Sequence, residues 1–191
     1  DYLDCRRPTP RVLAISCVWL GIDHPDPDGV HLRRFVPLLR QFARRSGCGI
    51  AEPLAVYIDW CSVPQPPWTD ADQSKQQRAR KHAGLWFAHQ LVEVWLLSDG
   101  RGAHGWARFE RAAAMLAPKH TEEVLEVTRV PSGWTSWDEV AQACRERWRP
   151  PMLPAAFAQS VERAKFRVPS DGLVAAKKYS ELFQRVMRTT R

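Results

Sequence analysis

The segment from Val92 to Leu116, VEVWLLSDGRGAHGWARFERAAAML, changes its hydrophobic period halfway along, and this constrains the fold more than any other stretch. Val92, Val94, Trp95, Leu96 and Leu97 make a short apolar run of strand length. Ser98, Asp99 and Gly100 end it, and Gly102 and Gly105 keep the connection loose. From Trp106 a helical spacing takes over through Phe109, Ala112, Ala113 and Leu116. A turn between the carboxyl end of a strand and a following helix is where open α/β sheets place their ligands. Glu110 falls one turn after Trp106, on the flank of the apolar stripe. Spacing alone puts it near the sheet edge without burying it and makes it an ordinary solvated glutamate, since glutamates are mostly exposed.

The remaining chain alternates in the same way. Val12–Val18 and Ala55–Trp60 are apolar strands, and Glu123–Val130 alternates well enough for a fourth. Leu32, Phe35, Val36, Leu39 and Phe42 mark an amphipathic helix, so Pro37 requires either a helix that starts just before it or a kink. A Lys-, Arg- and Gln-rich helix is expected over residues 74–90, presenting Ala79, Ala83, Trp86 and Phe87 on one side. Ser136 and Glu139 form a capping-box signature before Trp137, Val140, Ala141, Cys144 and Trp148. Leu173, Ala176, Leu182, Phe183 and Val186 mark a closing helix. Apolar strands alternating with helices imply a doubly wound, mainly parallel, flavodoxin-like sheet with helices on both faces. We read residues 1–191 as one domain, with 1–10 a flexible leader and 150–191 a C-terminal helical extension.

Composition removes several classes of function. With 45% hydrophobic and 26% charged residues the chain suits an ordinary globular domain. No apolar run is long enough to span a bilayer, so no membrane partner is expected; the opening residues carry no signal-peptide core, an absence that means little in a chain that begins at Asp1 rather than Met. The net charge of +7 is spread along the chain without a helix-turn-helix, zinc-finger or RNP-like motif, so specific nucleic-acid binding is not expected. The five cysteines form no CxxC pair, which argues against both a disulfide framework and structural zinc. Reduced thiols in the cytoplasm fit best. Cys17 and Cys61 each follow an apolar run and are expected as small buried fillers. Of the nine tryptophans, most, including Trp19, Trp60 and Trp106, are expected in the core.

Three loops should meet at the carboxyl edge, after Val18, after Trp60 and before Trp106. The first holds Asp23, Asp26 and Asp28, but an EF-hand register would place Phe35 where a glutamate is needed, so no metal is expected. His24 and His31 make no recognisable metal pair. In the second loop, Asp59 is accounted for by capping or turn formation, and Ser62–Pro67 is a rigid connection. The elbow GxSxG, the P-loop and GxGxxG are all absent, which excludes the commonest hydrolase and phosphate cradles.

These residues resemble a Toll/interleukin-1 receptor (TIR) domain, particularly the divergent TIR-like domains of algae and other microbial eukaryotes. The likeness covers about Val12 to Leu116. LAISCVWL corresponds to the first TIR strand, YIDW to the second-strand motif F-I-D-D of plant members, VEVWLLS to the third strand, and HGWARFE to the motif W-C-x-x-E. The resemblance implies cleavage of the nicotinamide–ribose bond of NAD+, with NAD+ as substrate and no cofactor. It makes Glu110 the catalytic carboxylate and assigns Ser16, Trp19, Asp59, Pro64 and Trp106 to the nucleotide site. It also implies self-association, with Pro64 and Gln65 on an exposed loop. Two departures stand out: Ser16-Cys17-Val18 lacks the arginine that follows the first strand in many members, and Ala107 replaces the motif cysteine. A non-catalytic assembly module is therefore the competing expectation.

Overall fold

A computed structural model describes residues 11–45, 53–98, 105–116 and 124–189. The leader at 1–10, Cys5, Cys48, Gly47, Gly49 and Gly102 lie outside the described residues. The elements run β1 (Arg11–Cys17), α1 (Val30–Arg45), β2 (Leu54–Ile58), α2 (Asp59–Ser62), α3 (Asp70–Ala88), β3 (Val92–Leu97), α4 (Gly105–Ala114), β4 (Val124–Glu126), a 3-10 turn (Val127–Arg129), α5 (Trp137–Cys144), α6 (Pro154–Glu162) and α7 (Asp171–Thr189).

The four strands form one parallel sheet in the order β2-β1-β3-β4, so the first strand lies between the second and third. Alternation along each strand sorts the core into two layers. Leu13, Ile15, Trp95, Leu97 and Leu125 face α1 and α5. Ala14, Tyr57, Val94, Leu96 and Val124 face α3, α4, α6 and α7. Burial on both sides explains why all six residues of β3 are buried. The closing helix is integral to this core, since Ala175 and Tyr179 are fully buried and Leu182 nearly so. Tyr179 stacks on Phe157 of α6 at 4.1 Å.

Several local expectations shift. Helix α1 begins at Val30 and runs through Pro37, so the late start is ruled out. Its buried stripe is His31, Phe35, Leu38 and Phe42, while Leu32 is exposed. Asp26 sets that register by accepting the backbone N–H groups of His31 and Leu32 at 3.0 and 2.9 Å. The second strand stops at Ile58, because Asp59–Ser62 forms a helical turn. Helix α3 starts four residues early, where Thr69 and Asp72 make a reciprocal capping box. The fourth strand is only three residues long and passes into a 3-10 turn after Glu126, whose carboxylate accepts Ser98 N–H and pairs with Arg111. Ser136 caps α5 as expected, but that helix ends at Cys144 and Trp148 is exposed.

The tryptophans divide by position. Trp95 and Trp137 are buried and stack at 5.8 Å. Trp19, Trp60 and Trp106, expected in the core, are half-buried because they sit where strands give way to loops. Cys61, expected as a buried filler, is exposed on the turn after β2. Among the described residues, no helix is long and apolar enough to cross a membrane.

Candidate functional site at the carboxyl edge

Strand β1 leads into α1 on one face of the sheet, whereas its neighbour β3 leads into α4 on the other. The chain therefore diverges at the carboxyl ends of β1 and β3, the topological switch point at which open α/β sheets bind ligands. Ser16 is the penultimate residue of β1 and pairs in register with Leu96 of β3. It shares a sheet face with Ala14 and so points at α4. Glu110 comes from the second turn of α4 to meet it.

The Ser16 hydroxyl donates to Glu110 Oε2 at 2.5 Å, across 94 residues of sequence. Ser16 is buried and Glu110 half-buried. Burial pushes the Glu110 carboxyl up to about 8; the Ser16 hydrogen bond works against this, and the negative charge of Asp59 adds to it. Glu110 is thus not the solvated helix residue that spacing alone suggested.

Asp59, in the first turn after β2, supplies the second carboxylate. It is exposed as a residue, yet the protein around its carboxyl raises its pKa by desolvation, partly offset by Arg80. Cys17 and Tyr57 register the same field. Burial pushes the Cys17 thiol up to about 12, with the charges of Glu110, Asp59 and Asp26 adding to the effect. Burial also raises the Tyr57 hydroxyl, again assisted by Asp59 and Glu110. Ser16, Glu110, Asp59, Tyr57 and Cys17 form one electronegative, partly desolvated cluster. Such a place favours a positively charged group.

The other expected site residues take different positions. Trp19 meets Trp60 edge to face at 5.3 Å, and His24 meets Trp60 at 5.1 Å, which makes an aromatic wall beyond the end of β1. Trp106 is held from behind the helix start. Its indole N–H donates to Asp171 at 2.9 Å, and its ring packs against Phe109 and Phe166. Trp106 therefore fixes the first turn of α4, on which the position of Glu110 depends. Pro64 is half-buried, and its carbonyl accepts the Trp68 indole N–H at 3.1 Å. Gln65, expected to be exposed, is half-buried instead. Its amide donates to Val63 O at 2.8 Å and to Trp60 O at 3.2 Å, pulling it inward; Pro66, Pro67 and Trp68 are the exposed part of that loop.

Two of the three aspartates after β1 are engaged in structure. Asp26 caps α1 and Asp23 faces Arg167. His31 turns inward, its Nε2 lying 2.8 Å from Val18 O. Among the described residues no group of three or more His, Cys, Asp or Glu side chains is placed to hold a metal ion.

Tyr57, Trp60, His24, Phe166 and Arg167 join the edge without having been singled out as site residues. Tyr57 had a signal, since it lies two residues before Asp59 on an alternating strand. Phe166 and Arg167 had none, because the connection between α6 and α7 carries no motif. Against known proteins, no family model, no curated protein and no solved structure gives a match to this chain.

Proposed function

We propose that this domain cleaves the nicotinamide–ribose bond of NAD+, with Glu110 as the carboxylate beside the ribose. The observation that carries this reading is the Ser16–Glu110 pair, a desolvated carboxyl fixed by a buried hydroxyl at the switch point of the sheet. The likeness of the Trp106–Glu110 segment to the TIR motif agrees with it. Nicotinamide leaves with the electron pair of the C1′–N bond, which neutralises its ring nitrogen, so departure needs no general acid. Positive charge then spreads over the ribose C1′–O4′ unit, as in glycoside hydrolysis. An ionised Glu110 in a poorly hydrated site is the electrostatic complement of that charge. Water capture at C1′ gives ADP-ribose and releases a proton, whereas capture by the substrate's own adenine gives a cyclic product.

A carboxyl that titrates near 8 is mostly neutral in the resting enzyme at pH 7. The cationic nicotinamide ring favours its ionised form, so substrate binding and proton release are linked. For the free enzyme, kcat/KM should therefore rise with pH through about 8. Nicotinamide release from NAD+ by concentrated protein between pH 6 and 9 is the test. Glu110→Gln should lower the rate at least a hundredfold. A wild-type rate in that variant, or no release by the wild type, overturns the reading.

A second reading, assembly with further copies of this chain in the cytoplasm, is favoured by the loop after β2. Pro66, Pro67 and Trp68 present an exposed, conformationally restricted surface there, which lowers the entropy lost on docking.

A further inference from the structure

The connection between α6 and α7 crosses the carboxyl edge, and three successive residues tie it to both sides. Lys165 O accepts the Gly105 N–H at 2.9 Å, at the first residue of α4. Phe166 packs edge to face on Trp106 at 6.0 Å and lies so near Gly105 that an added Cβ would sit 2.1 Å from its ring. Arg167 then reaches the far side, its guanidinium 5.7 Å from the centre of the Trp19 ring. The strap thus joins the helix carrying Glu110 to the loop that follows Ser16.

Arg167 is only loosely held there. Its one described ion pair is to Asp23 at 3.3 Å, and the two side chains are 60% and 91% exposed. An ion pair so hydrated is weak and readily exchanged for another anion. The Trp19 indole lies under the guanidinium without consuming its N–H donors. The edge is therefore bipolar: the carboxyl groups of Glu110 and Asp59 lie beside the Ser16 hydroxyl, and a displaceable guanidinium lies on an aromatic wall three residues beyond Ser16.

We infer that Arg167 and the Trp19–Trp60 wall form a subsite for the diphosphate and adjoining base of a dinucleotide, with Arg167 the phosphate-binding residue. A guanidinium offers the forked donors that match phosphate oxygens, and an indole offers a face or edge to a planar base. This inference rests on the NAD+ reading for the ligand's identity, because the ribose at Glu110 fixes which part of the molecule extends toward Arg167. It makes the strap, and not a glycine-rich loop, the source of phosphate recognition.

Calorimetric titration of the full chain with ADP-ribose tests the subsite without requiring turnover. Wild-type protein should bind ADP-ribose, Arg167→Ala should weaken it about tenfold, and Arg167→Lys should recover part of the loss. Glu110→Gln, lacking the hydrolytic carboxylate, should still bind. Inorganic pyrophosphate should bind more weakly than ADP-ribose; equal affinity overturns the aromatic half of the subsite. Wild-type affinity in Arg167→Ala, or no binding of ADP-ribose by folded wild type at millimolar concentration, overturns the proposal. If ADP-ribose binds with this dependence but NAD+ releases no nicotinamide, the reaction assigned above fails while the subsite stands. Where turnover occurs, Arg167→Ala should raise KM for NAD+ and leave that for nicotinamide riboside, which lacks the diphosphate, unchanged.

Discussion

Replacing Glu110 with glutamine should change stability in a way that depends on pH, and the sign follows from the direction of its shift. The folded protein holds the Glu110 proton up to about pH 8, against an ordinary value of 4.5 in the unfolded chain. Between those values the native state binds one more proton than the unfolded state, so wild-type stability falls as pH rises. Below 4.5 both states are protonated and the term vanishes; above 8 both are ionised and the loss is complete. A slope of about 1.4 kcal/mol per pH unit across that interval sets a ceiling of about 5 kcal/mol. Water reaching a half-buried side chain lowers it, and about 2–4 kcal/mol is the working expectation at pH 9. Glutamine keeps the volume and can accept the Ser16 hydroxyl hydrogen bond at 2.5 Å, but it never pays for ionisation. Urea unfolding at pH 4.5, 7 and 9, at constant m, provides the measurement. Glu110→Gln should match the wild type within about 1 kcal/mol at pH 4.5 and exceed it increasingly toward pH 9. A difference that stays flat across the range would refute the desolvation of this carboxyl.

Gly105→Ala should destabilise the fold by about 1–3 kcal/mol in urea, because its Cβ meets the Phe166 ring at 2.1 Å; pairing it with Phe166→Leu should recover part of that loss, and simple additivity would locate the strain elsewhere. In a Cys5→Ser, Cys48→Ser background, exposed Cys61 should react with a thiol reagent in the native state. Cys17 and Cys144, which burial pushes up to about 12 and about 11, should react only after unfolding, and three fast thiols would contradict that placement.

The sheet was legible because its strands are mainly apolar, Ser16, Glu93 and Glu126 being the buried polar residues in them, and because its helices carry one-sided stripes. Val92–Leu97 needed no tertiary information: six residues of strand character, buried on both faces, begin and end where the pattern says. The legibility fails where polar groups reach across the chain. Asp72 answers Thr69 and moves the start of α3, a local exchange that a search for Ser, Thr or Asp followed three residues later by Glu or Gln overlooks. Leu32 and Leu38 are alike in composition, and α1 buries Leu38 because it shares the stripe of His31, Phe35 and Phe42, which faces the sheet. Glu110 shows the limit most clearly. Its spacing on α4 was visible, but its raised pKa comes first from burial at the sheet edge, with the Ser16 hydrogen bond opposing it and the Asp59 charge adding to it, and these groups approach through sheet order rather than sequence distance. Arg167 was invisible for the same reason, lying 144 residues from Asp23 along the chain.

A glutamate in the position of Glu110 is difficult to account for by packing alone. The residues of α4 around it bury well, Phe109 and Ala113 being at most 3% exposed, as does Leu116 just past the helix, so the helix has its apolar anchor without Glu110. At neutral pH the ionised unfolded chain is favoured over a native state that must keep this carboxyl protonated or desolvate its charge, a standing cost that glutamine would avoid. The buried Ser16 hydroxyl opposite has its hydrogen bond either way. What only the carboxyl can supply is a negative charge, which in the proposed reaction would appear as the cationic ring enters, beside the charge of Asp59. Polar groups retained at a net cost in stability are concentrated at functional sites, and here the cost is centred on one atom pair at the sheet's switch point. The stability measurement and the nicotinamide assay therefore probe the same carboxyl from opposite sides. Glu110→Gln should gain stability toward alkaline pH and lose the proposed nicotinamide release, and a variant that gains the first without losing the second would separate the desolvated carboxyl from the chemistry.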